Sequence, residues 1–369
     1  MPVHIKGIPF DGLESVEVRP GHWTDTFVYG ISCQDGLPPW DYARALRTNT
    51  LVLDKYRRGA SLWVQVDSPG KWYLKQVRKG LQRSRIAVAV TPKDIEPSVY
   101  DFSIFPGEYP RPSLQAPSVA GWQPETVSDD ALQVLRALVR VKEGYTKEVM
   151  SLTGFGKWKT HERLKDLAEQ GFVSYHAKPP IDWDGKGQYR PIWQAKRKGT
   201  SLALRSWRVS SGLKFSAYKE RRNNPDGKHR RTSRLFMDSL RKSWHGTQIW
   251  TGWSEVQIPG IRTAPDALAW GRFDGYETLF WLEVESGGTS GKRLMERNAK
   301  RFHKAISYAK ENDVHLVFVL LAKRWAGQAA RLAFVGVPEN VAVVVDDWKI
   351  FDKLIVPQWG QAMFGNNLK

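Results

Sequence analysis

Cysteine is almost absent from this sequence, because Cys33 is the only one in 369 residues. A single cysteine excludes an intrachain disulfide and a cluster of thiolate metal ligands, and it favours a reducing compartment. Long apolar runs are also missing, and none approaches the roughly 20 residues that a membrane-spanning helix requires. The N-terminal residues lack the charged and then apolar pattern of a secretory signal. We therefore expect a cytoplasmic protein with no membrane partner.

Acidic residues are scarce relative to basic ones, 38 against 56, which gives a formal charge of +18. The excess is concentrated between Lys196 and Lys242, where fifteen lysines and arginines face three acids. A concentrated basic segment suits a polyanion, because each neutralised phosphate releases condensed counterions. A solvated linker without any partner has the same composition. The charge therefore favours nucleic acid as the partner and leaves the linker as the alternative.

The order of patterns along the chain predicts a multidomain protein that combines α+β and α/β domains. Five prolines between 105 and 125 mark a linker. The N-terminal part contains two predicted strands, Ser61–Ser68 and Arg85–Pro92, around a helix at Lys71–Ser84, and no motif indicates its role. The predicted parts are an α+β domain at 1–115, a linker at 116–127, a DNA-binding domain at 128–196, a basic connector at 197–228, an α/β domain at 229–355 and a tail at 356–369.

Residues 128–196 have the element order of a winged helix-turn-helix. Ser128 can cap an amphipathic helix, Thr146 can begin a short second helix, and a third helix is predicted from Lys157 to about Gln170. A strand at Phe172–His176 and a turn at Asp184-Gly185 would form the wing. In such domains the last of these helices enters the major groove of DNA. A helical hairpin that only packs domains together is the alternative.

We predict that double-stranded DNA binds this domain and the basic segment after it. The candidate side chains are cationic or carry a hydroxyl group, and they lie on the third helix (Lys157, Lys159, Thr160, Arg163), the wing (Lys186, Arg190) and the basic segment (Arg221, Arg222, Lys228, Arg230, Arg231, Arg234). Aromatic rings in or beside the basic segment could stack on unpaired bases, and these are Trp207, Tyr218 and Trp244.

Acidic residues occur at unusual places in the last predicted domain. Asp266 opens one apolar run, and Glu283 and Glu285 close the next. Asp274-Gly275 predicts a tight hairpin between the two runs, which would bring Asp266 beside Glu283. Side chains alternate across a strand, so Glu283 and Glu285 share one face. Clustered carboxylates repel unless a cation or a proton compensates them, and such oxygen ligands suit Mg²⁺ or Mn²⁺.

The order of elements, together with Pro265-Asp266 and Glu283-Val284-Glu285, resembles the restriction-endonuclease-like superfamily and its PD-(D/E)xK signature. The stretch from His229 to about Ala322 resembles the replication-relaxation family of plasmids, phages and other mobile elements. Members of that family carry a winged helix ahead of the nuclease-like core. The first hundred-odd residues lie outside this resemblance.

The resemblance implies roles for individual residues. Asp266 and Glu283 would be metal ligands, the Val284 carbonyl would add a third oxygen, and Glu255 would lie nearby as a further acid. Glu285 occupies the position where the superfamily usually has a lysine that orients the attacking water. Glu285 or Lys292 would act on that water instead, although the residue type and position of Lys292 favour a solvated helix residue.

Two functions of different classes follow. The first is a Mg²⁺-dependent DNA endonuclease or nickase of a mobile element, in which a homodimer could place one site on each strand. The alternative is a non-catalytic replication-initiation or regulatory protein that binds DNA through a degenerate nuclease fold. Asp266 and Glu283 on opposite sides of the sheet, or a salt-bridged arginine filling the gap between them, would end the case for catalysis and leave only a DNA-binding protein. A structural or assembly protein with a basic surface is a third possibility.

Overall fold

A computed structural model of the chain describes residues 3–5, 8–34, 36–57, 59–82, 84–103, 127–176, 192–208, 227–261, 264–285, 291–322, 333–347 and 353–365. The chain forms two compact units. The first unit combines Met1–Leu132 with Arg197–Phe215, and the second combines Gln133–Lys196 with Ser216–Lys369. The fold is mixed α/β with more than one domain, which confirms the coarse prediction. None of the described helices has the length and apolar composition needed to cross a bilayer.

The first unit is built on a five-stranded sheet in the order β3-β4-β5-β6-β7, preceded by a two-stranded pair β1-β2. The three central strands are parallel and the edge strands are antiparallel. Its elements are β1 (Val3–Ile5), β2 (Ile8–Phe10), β3 (Gly12–Arg19), β4 (His22–Ser32), α1 (Pro39–Tyr56), β5 (Ser61–Asp67), α2 (Lys71–Leu81), β6 (Val88–Pro92) and β7 (Phe102–Ser103).

The succession of β5, α2 and β6 matches the predicted strand, helix and strand. Leu62, Val64 and Val66 alternate along β5 and are almost completely buried, as the central strand of a covered parallel sheet requires. The helix α1 was not foreseen. It begins beside Pro38 and Pro39, since proline is well suited to the first turn of a helix.

The second unit starts with helices and a small antiparallel sheet in the order β8-β10-β9. Its elements are α3 (Asp129–Val141), β8 (Glu143–Tyr145), α4 (Thr146–Thr153), α5 (Lys157–Glu169), β9 (Val173–His176) and β10 (Ile192–Ala195). Gly154 adopts φ +73 and ends α4, because glycine enters the left-handed region without a steric penalty. The predicted wing turn at Asp184-Gly185 lies outside the described residues.

The segment predicted as a basic connector contains a helix, α6 (Arg197–Ser206), which belongs to the first unit. The Tyr29 hydroxyl donates a hydrogen bond to the Arg208 carbonyl oxygen (2.9 Å). The Arg208 guanidinium pairs with Asp11 (2.6 Å), and Trp207 is buried. These contacts fasten the end of α6 to the sheet of the first unit.

The rest of the second unit is a six-stranded sheet in the order β11-β12-β13-β14-β15-β16. The strands β11 to β13 are antiparallel, and β13 to β16 are parallel. The elements are α7 (Gly227–Ser243), β11 (Gln248–Ser254), β12 (Ala267–Phe273), β13 (Tyr276–Glu285), α8 (Gly291–Asn312), β14 (His315–Ala322), β15 (Val341–Asp347) and β16 (Ala362–Phe364). The segment predicted as a tail from 356 thus supplies the last strand of the sheet.

The two faces of this sheet carry different helices. The hairpin at Asp274 (φ +51) and Gly275 (φ +82) has the two positive φ angles that a tight two-residue turn requires. Phe280, Leu282 and Val284 pack in the core cluster that contains residues of α7. The alternate residues of β13, including Glu283 and Glu285, therefore face the opposite side, where α8 lies.

Candidate functional site

The hairpin brings Asp266 beside Glu283. Ala267 pairs with Leu282, and the Asp266 amide donates a hydrogen bond to the Leu282 carbonyl oxygen (3.0 Å). Directly opposed residues of antiparallel strands share a face, so both acids lie on the side of the sheet that α8 covers. Asp266 Oδ2 accepts a hydrogen bond from the amide of Val284 (2.7 Å). Val284 thus reaches the site through its amide, and the metal-binding role of its carbonyl remains a prediction.

Glu283 is the most deeply buried acid of this group, with 1% of its surface exposed. The Trp281 indole N–H donates to Glu283 Oε1 (3.0 Å), and Arg301 Nη1 lies 2.9 Å from Glu283 Oε2. Burial raises the pKa of Glu283 to about 8, and the negative charge of Asp266 contributes in the same direction. Arg301 and the Trp281 N–H oppose this rise. The site therefore holds a carboxyl group that is easily protonated when no other cation compensates it.

Glu285 is also buried and is held by two arginines. Arg301 Nη1 lies 3.1 Å from Glu285 Oε1, and Arg297 pairs with the other carboxylate oxygen. Burial raises the pKa of Glu285, while Arg297 and Arg301 act against the rise. Glu285 is therefore an acid whose charge is already compensated by two arginines of α8.

Arg297 and Arg301 are the site residues that the sequence interpretation missed. They are four residues apart on α8, so they project from the same side of the helix. A pair of arginines at this spacing, on the helix that directly follows two buried acids, is the signal that could have identified them. Lys292 lies near the start of the same helix, but its side chain is outside the part of the chain that the structure describes.

Glu283 Oε2 is a buried polar atom that has no hydrogen-bond partner among the described residues. The same holds for both amide atoms of Asn298 on α8, which is 0% exposed. Arg301 is close enough to Glu283 Oε2 for an ion pair, but the two groups are not aligned as a hydrogen bond. Buried polar groups are nearly always satisfied in native proteins. The free acceptor capacity of Glu283 Oε2 therefore suits an additional polar ligand, such as water or an ion.

Glu255 is next to Asp266 along the sheet, but a lysine neutralises its carboxylate. The Glu255 amide donates to the Asp266 carbonyl oxygen (2.8 Å). Lys142 Nζ lies 2.9 Å from Glu255 Oε2. Both Glu255 (φ +49) and Lys142 (φ +71) adopt left-handed backbone conformations, which are rare for residues other than glycine and often occur near functional sites.

Asp266 and Glu283 are the acids best placed for a metal ion. Their hard carboxylate oxygens suit Mg²⁺ or Mn²⁺, and Glu283 Oε2 lacks a hydrogen bond. Glu255 and Glu285 each accept a hydrogen bond from the cation they pair with, whereas Arg301 meets Glu283 Oε2 only as an ion pair. Within the described ranges, no three His, Cys, Asp or Glu side chains are grouped to hold an ion. Two protein carboxylates completed by water and phosphate oxygens are a common arrangement for Mg²⁺.

Some of the side chains predicted to contact DNA from α5 are exposed, and one of them is buried. Lys157 and Lys159 are exposed. Thr160 is 0% exposed, and its hydroxyl donates to the Gly156 carbonyl oxygen (3.0 Å), so it faces the core and cannot reach a base. Arg163 pairs with Asp166 (2.8 Å). The prediction for Thr160 is therefore wrong, and an ion pair already engages Arg163.

Arg234 is a structural residue and not a DNA contact. Its side chain is 3% exposed and pairs with Glu143 and Glu148, both at 2.9 Å. A guanidinium enclosed in this way cannot meet a phosphate, which corrects the prediction for this residue. The stacking role predicted for Trp207 and Trp244 is corrected in the same way, because both rings are buried.

The remaining predicted contacts lie outside the described residues and stay predictions. This holds for Lys186, Arg190, Tyr218, Arg221 and Arg222. It also holds for three residues on α7 whose side chains are not described, namely Lys228, Arg230 and Arg231.

A basic groove on α6 lies within the basic segment that was predicted to bind DNA, although its residues were not among the named candidates. Its lining residues follow one side of the helix, and the groove has a volume of about 320 Å³. Arg197 is exposed and Arg205 is half-buried. The residues that line it are Arg197, Lys198, Ser201, Leu202 and Arg205. Their charge suits phosphate oxygens.

Comparisons with family models, with curated proteins and with solved structures gave no match to this chain.

Proposed function

We propose that this chain is a DNA-binding protein of the mobile-element type, with a central winged helix and a restriction-endonuclease-like core that cuts or nicks DNA in a Mg²⁺- or Mn²⁺-dependent reaction. The juxtaposition of Asp266 and Glu283 at the ends of adjacent strands carries the proposal. The order of α3, α4 and α5 followed by a small antiparallel sheet supports the winged helix. The exposed Lys157 and Lys159 and the basic groove on α6 support the contact with phosphates.

Asp266 and Glu283 would hold the ion. A bound Mg²⁺ or Mn²⁺ lowers the pKa of a coordinated water and stabilises negative charge on a phosphoryl oxygen. The Val284 amide orients the Asp266 carboxylate, and the Trp281 indole orients Glu283. Arg301 provides a positive charge beside both glutamates, where the superfamily has its lysine. Arg301 also has to share or release Glu283 Oε2 for that oxygen to bind an ion.

The second candidate is a replication-initiation or regulatory protein that binds DNA without cutting it. The ion pairs of Arg301 with Glu283 and Glu285 favour it, since they neutralise the acids from within the fold. In that case α8 would have taken over the compensating role of a metal, and the acidic site would be structural.

A plasmid-nicking assay with Mg²⁺ and with Mn²⁺ separates the two candidates. We expect Asp266→Asn to lower cleavage by about 100-fold or more, since it removes one of two charges that hold the ion. The variant keeps an oxygen that can accept the Val284 hydrogen bond, so a gel-shift assay should show unchanged DNA binding. Asp67→Asn is a matched control, because Asp67 is likewise an aspartate at the end of a sheet strand, β5, but is exposed.

Each outcome of this assay has one interpretation. Cleavage that survives in Asp266→Asn refutes the site. Tight, sequence-dependent binding without cleavage in either ion supports the second candidate. The absence of binding to any DNA refutes both and leaves a structural or assembly protein.

A further inference from the structure

Trp158 projects from α5 into solvent and has no assigned role. Its side chain is 83% exposed, and no described residue makes a hydrogen bond or a ring contact with it. Thr160, Leu164 and Leu167 form the buried side of the helix. Trp158 precedes Thr160 by two residues, which is about 200° around the helix axis, so it points directly away from the core.

A single exposed apolar side chain is common and indicates nothing by itself. The setting distinguishes Trp158, because it lies between two exposed lysines, Lys157 and Lys159. Lys159 Nζ lies over the ring of Phe155 at 4.2 Å from its centroid. The first turn of α5 contains no acidic residue. An aromatic ring flanked by cations fits a ligand that combines a flat apolar face with neighbouring negative charges.

A nucleobase on its sugar-phosphate strand has this chemistry. In a closed duplex each base is already stacked on both faces, so a protein ring can reach only base edges in a groove. An unpaired base exposes a whole face, and stacking such a base on an aromatic side chain contributes about 1–3 kcal/mol. The neighbouring lysines can contact the phosphates on either side of that base.

We infer that Trp158 is a stacking platform for an unpaired nucleobase in DNA, and that α5 recognises a bulged, melted or single-stranded position. This inference rests on the DNA-binding part of the proposed function and is independent of catalysis. It assigns the base-stacking role to Trp158 on α5, beside the exposed lysines of that helix, instead of to the buried Trp207 and Trp244.

The test measures the affinity of the full chain for two 30-base-pair duplexes, one fully paired and one with a single bulged 2-aminopurine. We expect Trp158→Ala to weaken binding to the bulged duplex by roughly 5- to 150-fold, the equivalent of one stacked base. Binding to the paired duplex should change by less than about twofold. Trp158→Phe keeps a ring and should retain most of the affinity, together with the quenching of 2-aminopurine fluorescence.

The control is Trp23→Ala, which removes an indole that is 62% exposed on β4 of the first unit, and it should change neither affinity. Equal losses on the two duplexes would overturn the inference in favour of a groove contact. No loss on either duplex would also overturn it while leaving the proposed function intact. A dimer in sedimentation that dissociates in Trp158→Ala would show that the ring binds a second copy of the chain. If the unmodified chain binds no DNA, both this inference and the proposed function fail.

Discussion

The two sheets of the molecule have similar topology but carry their acidic side chains differently. Each sheet has parallel central strands and an antiparallel edge. In the first unit the acids at the sheet pair with cations in solvent, as in Asp25 with Arg57, whose side chains are 49% and 47% exposed. In the second unit the side chains of Glu283 and Arg301 are 1% and 19% exposed. The exposed ion pair costs little desolvation free energy, whereas the buried pair has to remove both charges from water.

This difference shows that the second sheet buries a carboxylate at a cost in folding free energy. Removing a carboxylate from water costs several kcal/mol unless its partners compensate it well. Valine or leucine at position 283 would have completed the strand without that cost. The second unit therefore carries its buried acids despite the requirements of folding, which is typical of residues kept for binding or catalysis. Three changes can test this comparison.

The largest effect is expected where a buried cation is removed from two acids. Arg234→Met should lower the free energy of unfolding of the second unit by about 3–5 kcal/mol, because Glu143 and Glu148 lose their common partner. Urea unfolding followed by circular dichroism measures the change. Replacing both glutamates by glutamine in the same variant should recover much of the loss. A loss below about 1 kcal/mol would show that these charges are effectively solvated.

An intermediate effect is expected from Glu283→Gln, and it depends on pH. The pKa of Glu283 is about 8 in the folded chain against an ordinary value of 4.5, so the folded state binds the extra proton. That contribution to stability is complete below about pH 4.5 and is lost as the pH rises through 8. The Glu283→Gln variant has no ionisable group at this position and therefore lacks this contribution to stability.

Unfolding in urea at pH 5, 7 and 9 measures this effect. We expect the stability of the unmodified chain, relative to Glu283→Gln, to fall by about 1–3 kcal/mol over this range. Glu285 and Asp346 also have raised pKa values, but they are present in both proteins. The slope from Asp346 cancels in the difference, whereas Glu285 shares Arg301 with Glu283, so its response to the substitution is part of the measured difference. A difference that is constant with pH would mean that Glu283 is not the buried proton acceptor.

The smallest effect is expected in the first unit. Arg57→Met removes the cation of an ion pair in which both side chains are about half exposed. Exposed pairs contribute about 0–1 kcal/mol, so the stability of the first unit should change by no more than that. The same urea measurement provides the value. A change as large as that of Arg234→Met would remove the contrast between the two units.

The sequence predicted elements that depend on local patterns. The succession β5-α2-β6, the start of α5 at Lys157 and the hairpin at Asp274-Gly275 follow from alternation, caps and turn residues, which act over a few positions. The proximity of Asp266 to Glu283 follows from the hairpin, since a two-residue turn fixes the register of both strands. This much of the candidate site could be predicted.

The sequence could not show which side of each helix is covered. Arg234 was expected on a basic outer surface, but α4 and β8 place Glu148 and Glu143 against it. Arg297 and Arg301 face the acids only because α8 returns over β13. Such directions are set by residues far apart in sequence, so local periodicity does not reveal them.

The hydrogen bond from Tyr29 to the Arg208 carbonyl joins residues 179 positions apart. During synthesis the sheet of the first unit leaves the ribosome long before α6 does. The first unit therefore completes its packing only after the whole segment from 133 to 196, which belongs to the other unit, has been translated. A fragment that stops at the proline-rich linker would leave Tyr29 without this acceptor, so expression of the N-terminal part alone should yield a less stable product than its apparent domain boundary suggests.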